Sequence, residues 1–147
     1  VLFGRSRGGL WVSSWAISNP ARVAGIIGIY PVFDFTTYPG IEKAAPAYDL
    51  SPAALLERQA KYNPIKHIDV LAKAGIPVVL IHGDVDKVVP IEQNSAEFVR
   101  QYKKAGADSL VKLIVLKDQG HNFFEGFFHS QELVDHAITQ ARAEVKP

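Results

Sequence analysis

The sequence predicts an α/β fold, a mostly parallel sheet flanked by helices. Three runs rich in Val and Ile, "AGIIGIYPVF" at 24–33, "IPVVLIHG" at 76–83 and "VKLIVL" at 111–116, are almost continuously apolar. Strands covered on both faces by helices have that composition. Between these runs stand segments with helical punctuation, so strand and helix alternate along the chain.

The elements follow in order. Apolar "VLF" at 1–3 reads as a short strand that runs into "GRSRGG" and then a helix ending at Asn19-Pro20. After the second strand, the stretch at about 36–62 is the least regular and is expected to form a cap-like excursion above the sheet. Within it, Ser51-Pro52 reads as an N-cap followed by proline at the first helical position, and Asn63-Pro64 repeats the device before a helix stopping at Gly75. Pro90 opens a further helix that ends near Gly106. Ser130 reads as the cap of the last helix, in which Leu133, Val134, Ala137, Ile138 and Ala141 form one apolar stripe.

A length of 147 residues with 48% apolar content fits one domain with a substantial core. Lys and Arg number 16 against 15 for Asp and Glu, so no broad field attracts nucleic acid or an anionic membrane. A small neutral or weakly charged partner fits better. The absence of cysteine excludes thiolate metal sites, disulfides and a cysteine nucleophile. No apolar run approaches the roughly 20 residues of a membrane span. The chain holds no methionine and starts at Val1, so Val1 is expected not to be the translated start.

"GRSRGG" at 4–9 is a G-x-S-x-G between a strand and a helix, the context of a nucleophile elbow. Gly4 and Gly8 flank Ser6, where side chains are expected to collide with neighbouring elements. Ser6 would then stand at the carboxyl end of the sheet and at a helix N-terminus, with the backbone N–H of Arg7 as an oxyanion donor. A serine nucleophile needs a histidine base and an orienting carboxylate. "GDVDKVVP" supplies Asp84 and Asp86 just past the strand at 76–83, and "KDQGHNFFEG" supplies His121 just past the strand at 111–116. The resulting order, Ser then Asp then His, is the one this elbow uses. "GRSRGG" lacks the spacing of a dinucleotide or phosphate loop, and no histidine pair has H-E-x-x-H spacing, so neither a nucleotide cofactor nor a metal is expected.

With these motifs in hand, the chain resembles the C-terminal half of an α/β-hydrolase. It is similar above all to serine esterases and to prolyl-oligopeptidase-like and dienelactone-hydrolase-like members of that superfamily, over almost its whole length. The resemblance implies Ser6 as nucleophile, His121 as base and, through the "HGxxDxxVP" pattern, Asp86 rather than Asp84 as acid. Asp84 then caps the turn before Pro90, and Asp34, after "YPVF", is a lesser contender for the acid. The resemblance also implies further strands before Val1 and a second oxyanion donor on them, so that the 147 residues would be a partial catalytic domain with "VLF" as an unpaired apolar edge. A preceding segment or a companion chain is the partner this implies.

The remaining candidates are read conservatively. His82 lies in an apolar strand and is expected to be packed and hydrogen-bonded to a loop; His67, His129 and His136 are expected at the surface or as caps. Trp11 and Trp15, four apart on one helix, are expected to make core or cap contacts. Arg5 and Arg7 flank Ser6, and Arg5 is a candidate for binding an acidic group of the substrate. Tyr30, Phe33, Phe35 and Tyr38 after one strand, and Phe123, Phe124, Phe127 and Phe128 after another, lie where such sheets bind ligands; Tyr30, Phe123 and Phe124 are the substrate-binding candidates. The expected function is cofactor-free hydrolysis of a small ester or peptide-like substrate by acyl transfer, a carboxylesterase ahead of a prolyl-oligopeptidase-like peptidase. A non-enzymatic binding module on the same scaffold would be marked by a disabled triad, and this triad is complete.

Overall fold

A computed structural model describes residues 1–143; the last four residues of the 1–147 domain reading lie outside them. Four strands, β1 (Leu2–Arg5), β2 (Ile26–Ile29), β3 (Val78–Gly83) and β4 (Val111–Leu116), form one parallel sheet in the order β1-β2-β3-β4. Arg5 aligns with Ile29, Ile29 with Ile81 and Ile81 with Ile114. This register brings the carboxyl ends of all four strands to one rim. The helices are α1 (Gly8–Ser18), α2 (Ile41–Ala44), α3 (Pro52–Glu57), α4 (Gln59–Tyr62), α5 (Ile68–Lys73), α6 (Ser95–Lys104), α7 (Glu125–Phe128) and α8 (Gln131–Arg142).

Side chains alternate across a strand, and the core divides accordingly. Ile26, Val78 and Leu80 face one way and bury against Ala16 of α1, Ile68 and Leu71 of α5, and Phe98 and Tyr102 of α6. Ile27, Ile29, Val79 and Ile81 face the other way, against Phe127 of α7 and Leu133 of α8. β2 and β3 are buried along their whole length, as their unbroken apolar runs demand. β4 carries a similar run, but as the other edge of the sheet it is only partly covered, and Val115 is half exposed. β1 pairs with β2 alone among the described residues, and Phe3, on the α8 side, is exposed there.

The stretch at 36–62 is built on α2, α3 and α4 around a small core of Phe35, Ala44, Ala45 and Leu55, against which Leu10 of α1 also packs. Ser51 caps α3 as its sequence suggests, Oγ accepting from the Ala54 N–H at 3.2 Å. Asn63 does not repeat that device. Its Oδ1 accepts from the Phe35 N–H and its Nδ2 donates to Asp34 Oδ1, tying the loop after β2 to the end of α4. Ser130 precedes α8 without a side-chain cap bond. The buried face of α8 also differs from the expected stripe: Leu133 is buried and His136, Ala137 and Gln140 are half-buried, whereas Val134, Ile138 and Ala141 are exposed. His136 therefore turns inward against Gly25, and burial holds its pKa below the usual imidazole range. Trp11 and Trp15 lie outside the core, both exposed on α1.

Asn94, just before α6, is fully buried and uses its whole amide. Oδ1 accepts from the N–H groups of Phe33 and Asp34 at 2.8 and 3.0 Å, and Nδ2 donates to Pro90 O and Thr37 Oγ1 at 2.9 and 3.1 Å. It clamps the loop after β2 to the loop after β3. Asn94→Ala leaves buried donors without acceptors and is expected to cost about 3 kcal/mol. In a thermal melt this corresponds to a fall on the order of 10 °C, and a fall under about 2 °C would contradict the clamp.

Candidate active site

The rim at the carboxyl ends of the strands collects Ser6, Asp86 and His121 from three separate loops. Ser6 follows β1 directly and has φ +50°, a left-handed conformation unfavourable to a side chain. Three backbone bonds hold it there: its N–H donates to Ile29 O at 3.1 Å, and its C=O accepts from Val32 N at 2.9 Å and Gly9 N at 3.0 Å. The close approaches that require glycine are not quite those expected from G-x-S-x-G. A Cβ on Gly4 would meet the Gly8–Gly9 backbone at 3.0 Å and one on Gly9 would meet Val32 O at 2.5 Å, but one on Gly8 would meet nothing within 4 Å. The second glycine of the pair, Gly9, lets α1 lie against the loop after β2.

Asp86 is set by the loop after β3. Gly83 allows this: a side chain there would run into the Gln119 carbonyl, so the loops after β3 and β4 come together only because it is glycine. Asp84 N–H then donates to Leu116 O and Val85 N–H to Gln119 O, at 3.2 and 3.1 Å. Asp84 itself is exposed, and the turn-capping role assigned to it falls to Asp86, whose Oδ1 accepts from the N–H groups of Val88 and Val89 at 2.9 and 2.8 Å. Oδ2 accepts from His121 Nδ1 at 2.8 Å. Asp34, the lesser acid candidate, is occupied elsewhere, Oδ1 accepting from the Thr36 backbone and hydroxyl and from Asn63.

His121 bridges the other two groups. Asp86 can only accept, so the proton on the ring sits at Nδ1, and Nε2, 2.9 Å from Ser6 Oγ, is left to accept the serine hydroxyl. The side chain of Asp86 is wholly shielded from solvent while that of His121 is 17% exposed. Burial alone would raise the Asp86 carboxyl, but hydrogen bonds from His121 and His82 and from the Val89 backbone outweigh it and hold the pKa well below the usual carboxylate range. The result is a fixed anion beneath a partly exposed base.

Around this line, Tyr30 differs from its expected role. It is 3% exposed, with φ +34°, and its ring packs 4.3 Å from the His121 ring and edge-on to Phe127 at 4.9 Å. It supports the imidazole from below and presents no face to a ligand. Phe123 is 76% exposed, stacks on Phe128, and lies under the Arg5 guanidinium at 5.1 Å from its ring centre. Phe124 is exposed beside it, with its edge toward Phe127. The Arg7 N–H, at the entrance to α1, meets no acceptor among the described residues. A cavity of about 330 Å³ between Asp34 and Arg100 and another of about 730 Å³ beside Lys66 and Lys104 are lined by none of the three rim residues. Among the described residues, no three His, Cys, Asp or Glu side chains gather as metal ligands would, and no helix is long and apolar enough to cross a membrane.

The sequence singled out Ser6, Asp86 and His121, and the fold brings their side chains into one hydrogen-bonded line. It does not point to His82, which also reaches Asp86 and whose only signal in the sequence is a histidine inside an apolar strand.

The family model described as "prolyl oligopeptidase family" matches residues 1–138. No curated protein matches the chain. Among solved structures, a puromycin hydrolase mutant complexed with PGG superposes with a TM-score of 0.69 at 21% identity, over 95% of this chain and 22% of that one. An acylaminoacyl peptidase from Pyrococcus horikoshii gives 0.64 at 19% identity, over 95% and 22%. Carboxyl esterase 2 of the fungus Tuber melanosporum gives 0.59 at 19%, over 95% and 52%. The chain spans about a fifth of the length of the first solved structures it matches. These likenesses show the α/β-hydrolase fold.

Gly9→Ala is expected to destabilise by about 2 kcal/mol or more, whereas Gly8→Ala should stay within about 0.5 kcal/mol of the parent, both read by denaturant unfolding. The reverse ranking would contradict the elbow packing. The folded value of Asp86 lies below its unfolded one, so its charge stabilises the fold at neutral pH and ceases to as pH falls below the usual carboxylate range. The stability gap between the parent and Asp86→Asn should therefore narrow on acidification; a gap that widens would be the contrary result.

Proposed function

We propose an acyl-transfer function on this premise: the chain belongs to the prolyl oligopeptidase family. The observation that carries the proposal is the unbroken line from Ser6 Oγ to His121 Nε2 at 2.9 Å and from His121 Nδ1 to Asp86 Oδ2 at 2.8 Å. As Ser6 Oγ bonds to the carbonyl carbon of the substrate, its proton passes to Nε2 and the carbonyl electron pair moves onto oxygen. The imidazolium so formed is stabilised by the Asp86 carboxylate, which keeps its charge. The Arg7 N–H and the N-terminal end of α1 face the developing oxyanion with positive partial charge, a contribution worth about 3 kcal/mol per donor. Collapse expels the leaving group, which takes the proton from Nε2, and water repeats the sequence on the acyl-enzyme.

The substrate we propose is a small carboxylic ester. An alkoxide or phenolate leaves a tetrahedral intermediate more readily than an amine, so ester cleavage is the easier reaction for the line of Ser6, His121 and Asp86. Phe123 and Phe124 offer an apolar wall beside His121, and Arg5, held over Phe123, offers a cation to an acidic substituent. Amide cleavage is the second reading; it is favoured by the family description and by the peptidase neighbour, and it uses the same three residues.

A fluorophosphonate probe should label Ser6, with labelling lost in Ser6→Ala and reduced by orders of magnitude in His121→Ala. A folded parent protein that resists the probe would refute acyl transfer. Given labelling, a short-chain aryl ester should be turned over faster than a proline-containing peptide amide, and the opposite order would favour the peptidase reading.

A further inference from the structure

His82, a buried side chain near the rim, is left without a task by the acyl-transfer scheme. It occupies β3, has no exposed surface, and is the sole ionisable residue in "VVLIHG". Both ring nitrogens are engaged: Nδ1 lies 2.8 Å from Ser95 Oγ and Nε2 lies 2.9 Å from Val89 O. A backbone carbonyl can only accept, so the proton sits on Nε2 and Nδ1 accepts the Ser95 hydroxyl. The Nε2–H also faces Asp86 Oδ2 at 3.4 Å, the oxygen that accepts the hydrogen bond from His121 Nδ1.

Val89 joins the two halves of this arrangement. Its C=O is held by His82 while its N–H donates to Asp86 Oδ1 at 2.8 Å. Locking that one residue therefore fixes the carboxylate from its far side, and the second approach of the same imidazole N–H turns positive potential toward Oδ2. An aliphatic residue would fill the strand position without the cost of desolvating an imidazole, so a role limited to filling space does not account for the choice. We propose that His82 is a positioning residue, which acts through Val89 and Asp86 to hold His121 in line with Ser6.

This rests on the acyl-transfer reading. His82→Asn keeps an acceptor for Ser95 but removes the donor at the Nε2 position; His82→Gln retains a donor there. In the full chain, His82→Asn should slow fluorophosphonate labelling of Ser6 and lower kcat by about 10- to 100-fold, as loss of residues that orient a reacting group does, with little change in KM. His82→Gln should recover most of the loss although it sacrifices the bond to Ser95. Ser95→Ala leaves the Val89 carbonyl to keep the proton on Nε2 but removes the bond that holds the ring from its other side, and should slow labelling several-fold. That variant carries the test if His82→Asn does not fold, as read by circular dichroism.

Folded His82→Asn that labels at the parental rate, His82→Gln as slow as His82→Asn, or Ser95→Ala indistinguishable from the parent would each overturn the role of His82 and leave the hydrolase reading intact. A parent protein that does not label overturns the hydrolase reading, and the positioning role with it.

Discussion

A carboxylate removed from water yet held as an anion is the constraint on which the rest of this structure turns. Burial opposes the charge on Asp86. The charge persists because both oxygens are met by donors, two backbone N–H groups on one side and the His121 ring on the other. Those donors come from loops that follow different strands, so they converge only if β3 and β4 run parallel in the observed register and the Gln119 carbonyl can press against Gly83. The sheet and its glycine contact thus act as the frame that sets a proton-transfer line at one rim.

The opposite end of that line imposes its own cost. Ser6 adopts a left-handed backbone, a conformation on the order of 1–3 kcal/mol above the ordinary one. Three backbone hydrogen bonds and the close seating of α1 through Gly9 compensate. Strain at the nucleophile and burial at the acid are separate expenses in separate loops. His121, packed on Tyr30 between them, is the element that makes the two arrangements one site.

Much of this was legible in the residues. Continuous Val and Ile runs located β2 and β3, G-x-S-x-G between strand and helix located Ser6, and residues just past later strands narrowed the acid to Asp84 or Asp86 and located His121, the family resemblance then choosing Asp86. What escaped was whatever depends on distant partners. Asn63 looks like a local cap in sequence, but it and Asn94 satisfy backbone groups of the loop after β2, 28 and 61 residues away. Periodicity placed Val134, Ile138 and Ala141 on the inner face of α8 beside Leu133 and Ala137, whereas the sheet accepts Leu133 and Ala137 together with His136. Tyr30 shared the rim with the exposed phenylalanines by position, yet its backbone turn carries the ring beneath the imidazole. A five-residue pattern also could not reveal that Gly9, outside it, is the more tightly confined glycine.

The most direct test of the account is nitrogen and proton NMR of the His121 ring at neutral pH. The geometry predicts a protonated Nδ1 with a bonded, strongly deshielded proton shared toward Asp86, and an unprotonated Nε2. Replacing Asp86 by Asn should abolish that proton signal. A parent spectrum with the proton on Nε2 would contradict the account at its centre, because the ring could not then accept the hydrogen of Ser6.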